Sequence, residues 1–203
     1  MIYRYNFGDV IETSAVVGKV SEGEHIPYFT VTEGNAGTCF EYELGKDDIV
    51  YGLGETMRGM NKRGGRYVSF NSDNMRHTDK MPSMYGSHNF IIVDGKNTFG
   101  AFFDTPARVV FDIDYSVSGK INILCEQGVA VYIVDGDYAC DIARQFLKII
   151  GQSYLPPLWA FGYGQSRWGY KNEGDVREVV AGYEKAGMPL DYVCLDIDYM
   201  QDY

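Results

Sequence analysis

Through the first 135 residues the apolar positions come in short runs divided by turn residues. Ile91-Ile92-Val93 precedes Asp94-Gly95-Lys96-Asn97, and Phe99-Gly100-Ala101-Phe102-Phe103 resumes the apolar run, which predicts a hairpin. Val109-Val110-Phe111, Ile121-Asn122-Ile123-Leu124 and Val129-Ala130-Val131-Tyr132-Ile133-Val134 follow, separated by Gly119-Lys120 and Gln127-Gly128. Short strands at this spacing predict a β-sandwich. After Asp135-Gly136 the period changes. Ala139, Ile142, Ala143, Phe146, Ile149 and Ile150 recur at helical spacing, with Asp137 as the expected N-cap and Gly151 as the residue that ends the helix.

Pro156-Pro157 can sit inside neither a helix nor a central strand, so it marks a connector. Beyond it, Trp159-Ala160-Phe161-Gly162-Tyr163-Gly164 reads as a strand. Val176, Val179, Val180 and Tyr183 form a helical stripe that Gly187 and Pro189 stop, and Tyr192-Val193-Cys194-Leu195-Asp196-Ile197 reads as a second strand. Strand, helix and strand make a βαβ unit with parallel pairing. Parallel sheets are covered on both faces, so this unit is expected to be the opening of a larger fold. The predicted class is mostly β: an N-terminal β-sandwich domain over 1–152, joined to the start of an α/β barrel over 153–203.

Composition supports this class and narrows the partners. A chain of 203 residues can bury roughly 70% of its unfolded surface, so it needs no disulfide or metal staple. The 17 Tyr, 11 Phe and 24 Gly suit a β-rich protein with many turns. The net charge of −10 disfavours nucleic acid and anionic membrane surfaces as partners. Cys39, Cys125, Cys140 and Cys194 form no C-x-x-C pair. The opening Met1-Ile2-Tyr3-Arg4-Tyr5 carries no signal-like apolar run, and no stretch approaches the roughly 18 apolar residues of a membrane span. A cytoplasmic location is the resulting expectation.

The chemistry-bearing residues sit at the ends of the last two strands. Side chains at i and i+2 share a face, so Tyr192, Cys194, Asp196 and Asp198 lie on one side and Val193, Leu195 and Ile197 on the other. In α/β barrels ligands bind at the carboxyl ends of strands. Asp196 and Asp198 therefore either face a ligand or cap the following loop, and parity alone leaves both readings open. Trp168, after Gln165-Ser166-Arg167, is either a stacking platform for a sugar or a rim residue packed under a loop. Asp73, in Phe70-Asn71-Ser72-Asp73-Asn74, has the character of a turn acid. Tyr51-Gly52-Leu53-Gly54 lacks the glycines and context of a phosphate loop. His25, His77 and His88 show no metal-ligand spacing, and no G-x-S-x-G elbow occurs. No metal and no cofactor is expected.

Taken in order, several motifs resemble glycoside hydrolase family 31. Tyr51-Gly52-Leu53-Gly54-Glu55, Asn61-Lys62-Arg63-Gly64, Tyr85-Gly86-Ser87-His88 and Gly100-Ala101-Phe102-Phe103-Asp104 look like its sandwich domain. Leu155-Pro156-Pro157-Leu158-Trp159-Ala160-Phe161-Gly162, Gln165-Ser166-Arg167-Trp168 and Leu195-Asp196-Ile197-Asp198-Tyr199-Met200 look like the entry and second strand of its (β/α)8 barrel. The resemblance runs from about residue 50 to the end. It implies a retaining α-glycosidase with two carboxyl groups about 5–5.5 Å apart. In the family both are aspartates on later strands, so no catalytic residue is expected before Tyr203, and this chain alone is expected to be inactive. The resemblance also implies that Asp196 and Asp73 bind sugar hydroxyls in the first subsite, with Trp168 and Ile197 in its wall. Asp-Ile-Asp-Tyr-Met resembles the α-glucosidase branch; the α-xylosidase branch carries Cys, Phe and Trp after the first Asp.

The function implied is the N-terminal part of an α-glucosidase acting on terminal α-linked glucose of oligosaccharides, an arrangement compatible with a homo-oligomer of the full-length enzyme. The alternative is a carbohydrate-binding sandwich module without catalysis, and a third reading is a sandwich with a purely structural role. The βαβ segment favours the enzyme, because a self-contained module has no use for two barrel strands.

Overall fold

Inward-facing side chains at every second position assemble eleven strands into two sheets in the computed structural model, which describes residues 2–73 and 75–202. The strands are β1 (Ile2–Phe7), β2 (Ser21–Glu22), β3 (Thr30–Gly34), β4 (Gly37–Glu43), β5 (Ile49–Gly54), β6 (Gly65–Ser69), β7 (Ser87–Asp94), β8 (Phe99–Asp104), β9 (Val109–Ile113), β10 (Lys120–Cys125) and β11 (Val129–Asp135). One sheet runs β2-β1-β11-β8-β7-β5 and the other β3-β4-β10-β9-β6. Phe40, Phe99, Phe103, Phe111, Ile121 and Ile123 fill the space between them. Helix α1 (Ala139–Ile150) follows. These elements belong to a compact unit over Met1–Gln152, and a second unit covers Ser153–Tyr203. The predicted class holds: the chain is mostly β, with a sandwich followed by a βαβ unit.

Strand β11 shows why α1 belongs to the sandwich. Its residues Val129 to Val134 are all buried, which simple alternation against one core would not produce. Val129, Val131 and Ile133 point between the sheets. Val134 packs with Ile142, and Ala130 and Tyr132 pack with Ile149, on the outer face. Phe146 stacks on Phe90 with ring centroids 3.8 Å apart and meets Phe102 edge-on. The helix thus removes from water a sheet face that would otherwise expose Ile92, Phe102 and Val134. Gly151 ends it at φ 90°. The amides of Val17 and Gly18 donate to the Ile149 carbonyl, satisfying an acceptor the helix end leaves open.

Two boundary expectations are corrected. The N-cap of α1 is Tyr138, not Asp137; its carbonyl accepts from the amides of Asp141 and Ile142, and no side chain caps the turn. The run Trp159 to Tyr163 is not a strand. Leu158–Phe161 forms a 3-10 turn, in which the Pro157 carbonyl accepts from Ala160 and the Trp159 carbonyl from Gly162, both at 3.0 Å. The strand comes later, as β12 (Gly164–Arg167). A preceding proline pair leaves carbonyls free and supplies no N–H, so the turn closes on Pro157 before the chain can extend.

The second unit continues with α2 (Glu173–Ala186) and β13 (Tyr192–Leu195). Asn172 caps α2 by accepting from the Asp175 amide at 3.2 Å, and Gly187 takes the left-handed conformation (φ 67°) that stops it. Strands β12 and β13 pair in parallel, Gly164 opposite Tyr192 and Arg167 opposite Leu195. Tyr183 of the predicted stripe turns toward the sheet, where its hydroxyl donates to Gln165 Oε1 at 2.5 Å.

Candidate functional site

The parallel register fixes which residues share an end. Arg167 and Leu195 are partners and the last residues of β12 and β13, so Trp168 and Asp196 leave the sheet side by side at its carboxyl edge. β13 ends at Leu195, earlier than the expected Ile197, because Asp196 Oδ1 accepts from the Ile197 amide at 2.7 Å and opens a 3-10 turn over Ile197–Tyr199. Asp198 therefore swings out of strand parity and accepts from Trp168 Nε1 at 3.1 Å. The indole is thereby tied to the loop after the neighbouring strand while 72% of the residue stays exposed. Asp196 and Ile197 are exposed as well. The edge offers an exposed aromatic face beside a carboxylate, a pairing that suits a ring with a C–H face and hydroxyl rim.

The capping reading is realised for Asp196, and Asp198 takes a third role. Asp196 caps the turn with Oδ1, and Asp198 anchors the tryptophan. Strand parity groups Asp198 with Asp196, but it lies in the 3-10 turn and meets Trp168 instead. Trp168, Asp196 and Ile197 come together. Asp73 lies in the other unit, on the exposed loop between β6 and β7.

That loop is built by the sandwich motifs. Strand β5 carries a bulge between Gly52 and Leu53, with positive φ at Gly52 (123°), Leu53 (70°) and Gly54 (72°). A Cβ at Gly52 would lie 2.1 Å from the Phe90 carbonyl oxygen, so only glycine fits. The bulge delivers Glu55 to Gly86: the Glu55 amide donates to the Gly86 carbonyl at 2.8 Å, and the Gly86 amide donates to Glu55 Oε2 at 3.0 Å. Asn71 Oδ1 accepts from the Ser87 amide at 3.0 Å, and the Ser72 amide donates to the Met84 carbonyl at 2.9 Å. The two ends of the loop are thus cross-tied. Within it the Tyr85 hydroxyl donates to the Asp73 carboxylate, and that bond raises the Tyr85 pKa above its ordinary value. Tyr85 was missed as a partner because twelve residues separate it from Asp73 and no local period links them.

Asn61-Lys62-Arg63-Gly64 is scaffolding too. Arg63 Nη1 donates to the carbonyls of Gly45, Lys46 and Asp48, and its Nε and Nη2 grip Asp114 Oδ2 at 3.0 and 2.9 Å. The Gly119 amide, and then Arg63, hold the Asp114 carboxyl below its usual pKa. Lys62, 6% exposed, donates to Thr56 Oγ1 and the Gly59 carbonyl; burial lowers its pKa.

Sequence families map onto the two units. The N-terminal galactose mutarotase-like domain of glycosyl hydrolase family 31 matches residues 14–112, and the family 31 TIM-barrel domain matches residues 153–203. The chain belongs to glycoside hydrolase family 31. Family-31 relatives include α-glucosidase 2 of Bacillus thermoamyloliquefaciens, 32% identical over 85% of this chain and 23% of that protein. An α-glucosidase of Saccharolobus solfataricus is 31% identical over 85% of this chain and 25% of its own. The chain thus spans about a quarter of the length of these relatives. Among solved structures, a Flavobacterium johnsoniae family-31 dextranase complexed with glucose superposes with a TM-score of 0.77 at 26% identity, over 84% of this chain and 21% of that one. A cycloalternan-degrading enzyme from Trueperella pyogenes shares the fold, with a TM-score of 0.68 at 21% identity over 85% of this chain and 27% of its own. Among the described residues no group of three His, Cys, Asp or Glu could hold a metal ion, and no helix is long and apolar enough to cross a membrane.

Proposed function

We propose that the chain is the N-terminal part of a retaining α-glucosidase that releases terminal α-linked glucose from oligosaccharides. The Bacillus and Saccharolobus relatives are named α-glucosidases, and the Asp-Ile-Asp-Tyr-Met motif agrees with that branch. The single observation that carries the reading is the pairing of exposed Trp168 with Asp196 at the carboxyl edge of two parallel strands. In this reading Asp196 and Asp73 accept from sugar hydroxyls in the first subsite. Trp168 and Ile197 wall it, and the nucleophile and acid/base lie on later strands. Charged acceptors on ring hydroxyls orient the sugar and strengthen as the oxocarbenium ion forms. In this reading residues 1–152 are a sandwich domain and residues 153–203 the barrel's first two strands, a division that the two compact units support. Limited proteolysis is expected to cut after about Gly151 and leave a resistant sandwich; early cleavage throughout 60–130 would contradict that division. All four cysteines are free, which supports a reducing cytoplasm as the location.

The test is the first product of the whole enzyme acting on maltose and on a nitrophenyl α-xyloside. Retention predicts α-glucose as the initial anomer by proton NMR, with the xyloside a poor substrate. Initial β-glucose, or preference for the xyloside, would overturn the assignment.

A further inference from the structure

A cleft of about 610 Å³ opens in the first unit where the chain after β1, the residues after β6, the start of β7 and the end of β8 meet. Its size lies within the range of small-molecule sites. No lysine or arginine lines it. A phosphate, sulfate or carboxylate ligand would find no permanent cation there.

Its polar lining is neutral apart from Asp104, with Ser14, Ser69, Asn71, Ser87 and Thr105 among the residues. Asp104 is only 7% exposed, and the Thr13 hydroxyl donates to its Oδ1 at 2.7 Å. A carboxylate offers about four acceptor positions, so one hydroxyl leaves most of them unmet. Burial raises the Asp104 pKa, against the opposing Thr13 bond and Arg4 charge. An acceptor left unmet in such a place is costly, and it favours any ligand that brings O–H groups. Beside these acceptors Phe70 presents a ring with 61% of the residue exposed, and Pro106 adds a second apolar surface. Water would meet the acceptors but gain nothing from the aromatic face. A pyranose meets both, with hydroxyls at its rim and a C–H face for the ring.

We propose that this cleft is a second carbohydrate site, taking one neutral pyranose unit of an oligosaccharide on the sandwich. The site stands on its own lining and does not rest on the first-subsite role given to Asp73, Trp168, Asp196 and Ile197. The experiment is amide chemical-shift mapping of the 203-residue chain titrated with maltotriose. Saturable shifts are expected in residues 13–15, 87–89 and 102–107, with millimolar affinity. Phe70→Ala, a change at an exposed position, is expected to weaken binding about 2- to 12-fold, as loss of an aromatic contact does, with the core spectrum unchanged. Trp168→Ala is expected to leave these shifts in place. The proposal is overturned if those segments show no saturable shift, if Phe70→Ala binds as tightly as the parent, or if Trp168→Ala abolishes the response.

Discussion

Replacing Asp196 tests its proposed role in recognition as distinct from proton transfer. Its carboxylate is exposed and makes one internal bond, Oδ1 to the Ile197 amide at 2.7 Å, so Asp196→Ala removes a cap and no core packing. Loss of a cap costs about 0.5–2 kcal/mol, which leaves the fold in place. Removing a charged hydrogen bond to the sugar costs about 1.5–3 kcal/mol, or roughly 10- to 150-fold in kcat/KM. Asp196→Asn keeps a capping oxygen and loses only the charge, so it is expected to restore the stability but not the activity. The assay is kcat/KM of the whole enzyme for a nitrophenyl α-glucoside across pH, with and without azide. Both limbs of the pH profile are expected to persist, because the proposal puts the nucleophile and acid on later strands. Azide is expected to rescue nothing. Recovery of turnover with formation of a glycosyl azide would make Asp196 the nucleophile and refute the reasoning.

Three further outcomes follow from the same structure. Ile142→Ala, at a fully buried contact between α1 and Val134, is expected to lower stability by about 2–5 kcal/mol in denaturant unfolding, and a loss under about 1 kcal/mol would mean that α1 is not docked. Burial lifts the Cys125 thiol from its ordinary value of 9.0 to about 12, so it is expected to resist Ellman's reagent at pH 8 until the chain unfolds, whereas exposed Cys140 and Cys194 react at once; the folded state keeps a proton that the unfolded state has lost, so stability falls as pH climbs from 9 toward 12. The 203-residue chain alone is expected to release no nitrophenol from a nitrophenyl α-glucoside, since two strands cannot assemble an eight-stranded barrel, and turnover in the ordinary enzyme range would contradict that.

The sandwich was legible because alternation and turn residues are local signals. The hairpin at Asp94–Asn97, the α1 stripe and the stop at Gly187 all needed only a few neighbouring residues to specify them. The misread positions depend on partners the local pattern does not contain. Trp159 to Phe161 has strand-like composition, yet the prolines before it allow a closed turn, and the pleat begins only at Gly164. Asp198 obeys strand parity on paper, but the Asp196 cap ends the strand first. The Tyr85–Asp73 bond spans one long loop and the Trp168–Asp198 bond joins two loops, and no periodicity encodes either. The family motifs were recognisable as text, but their physical work emerged only in three dimensions. Gly52 is required by the Phe90 carbonyl, and Arg63 by three backbone carbonyls and Asp114.

The most direct test of the first-subsite account is a crystal structure of the whole enzyme with glucose bound. The account predicts Asp196 and Asp73 carboxylates within about 3 Å of sugar hydroxyls, the Trp168 indole against the ring, and the two catalytic aspartates on later barrel strands. Glucose bound away from the carboxyl edge of β12 and β13, with Asp196 touching no hydroxyl, would contradict it.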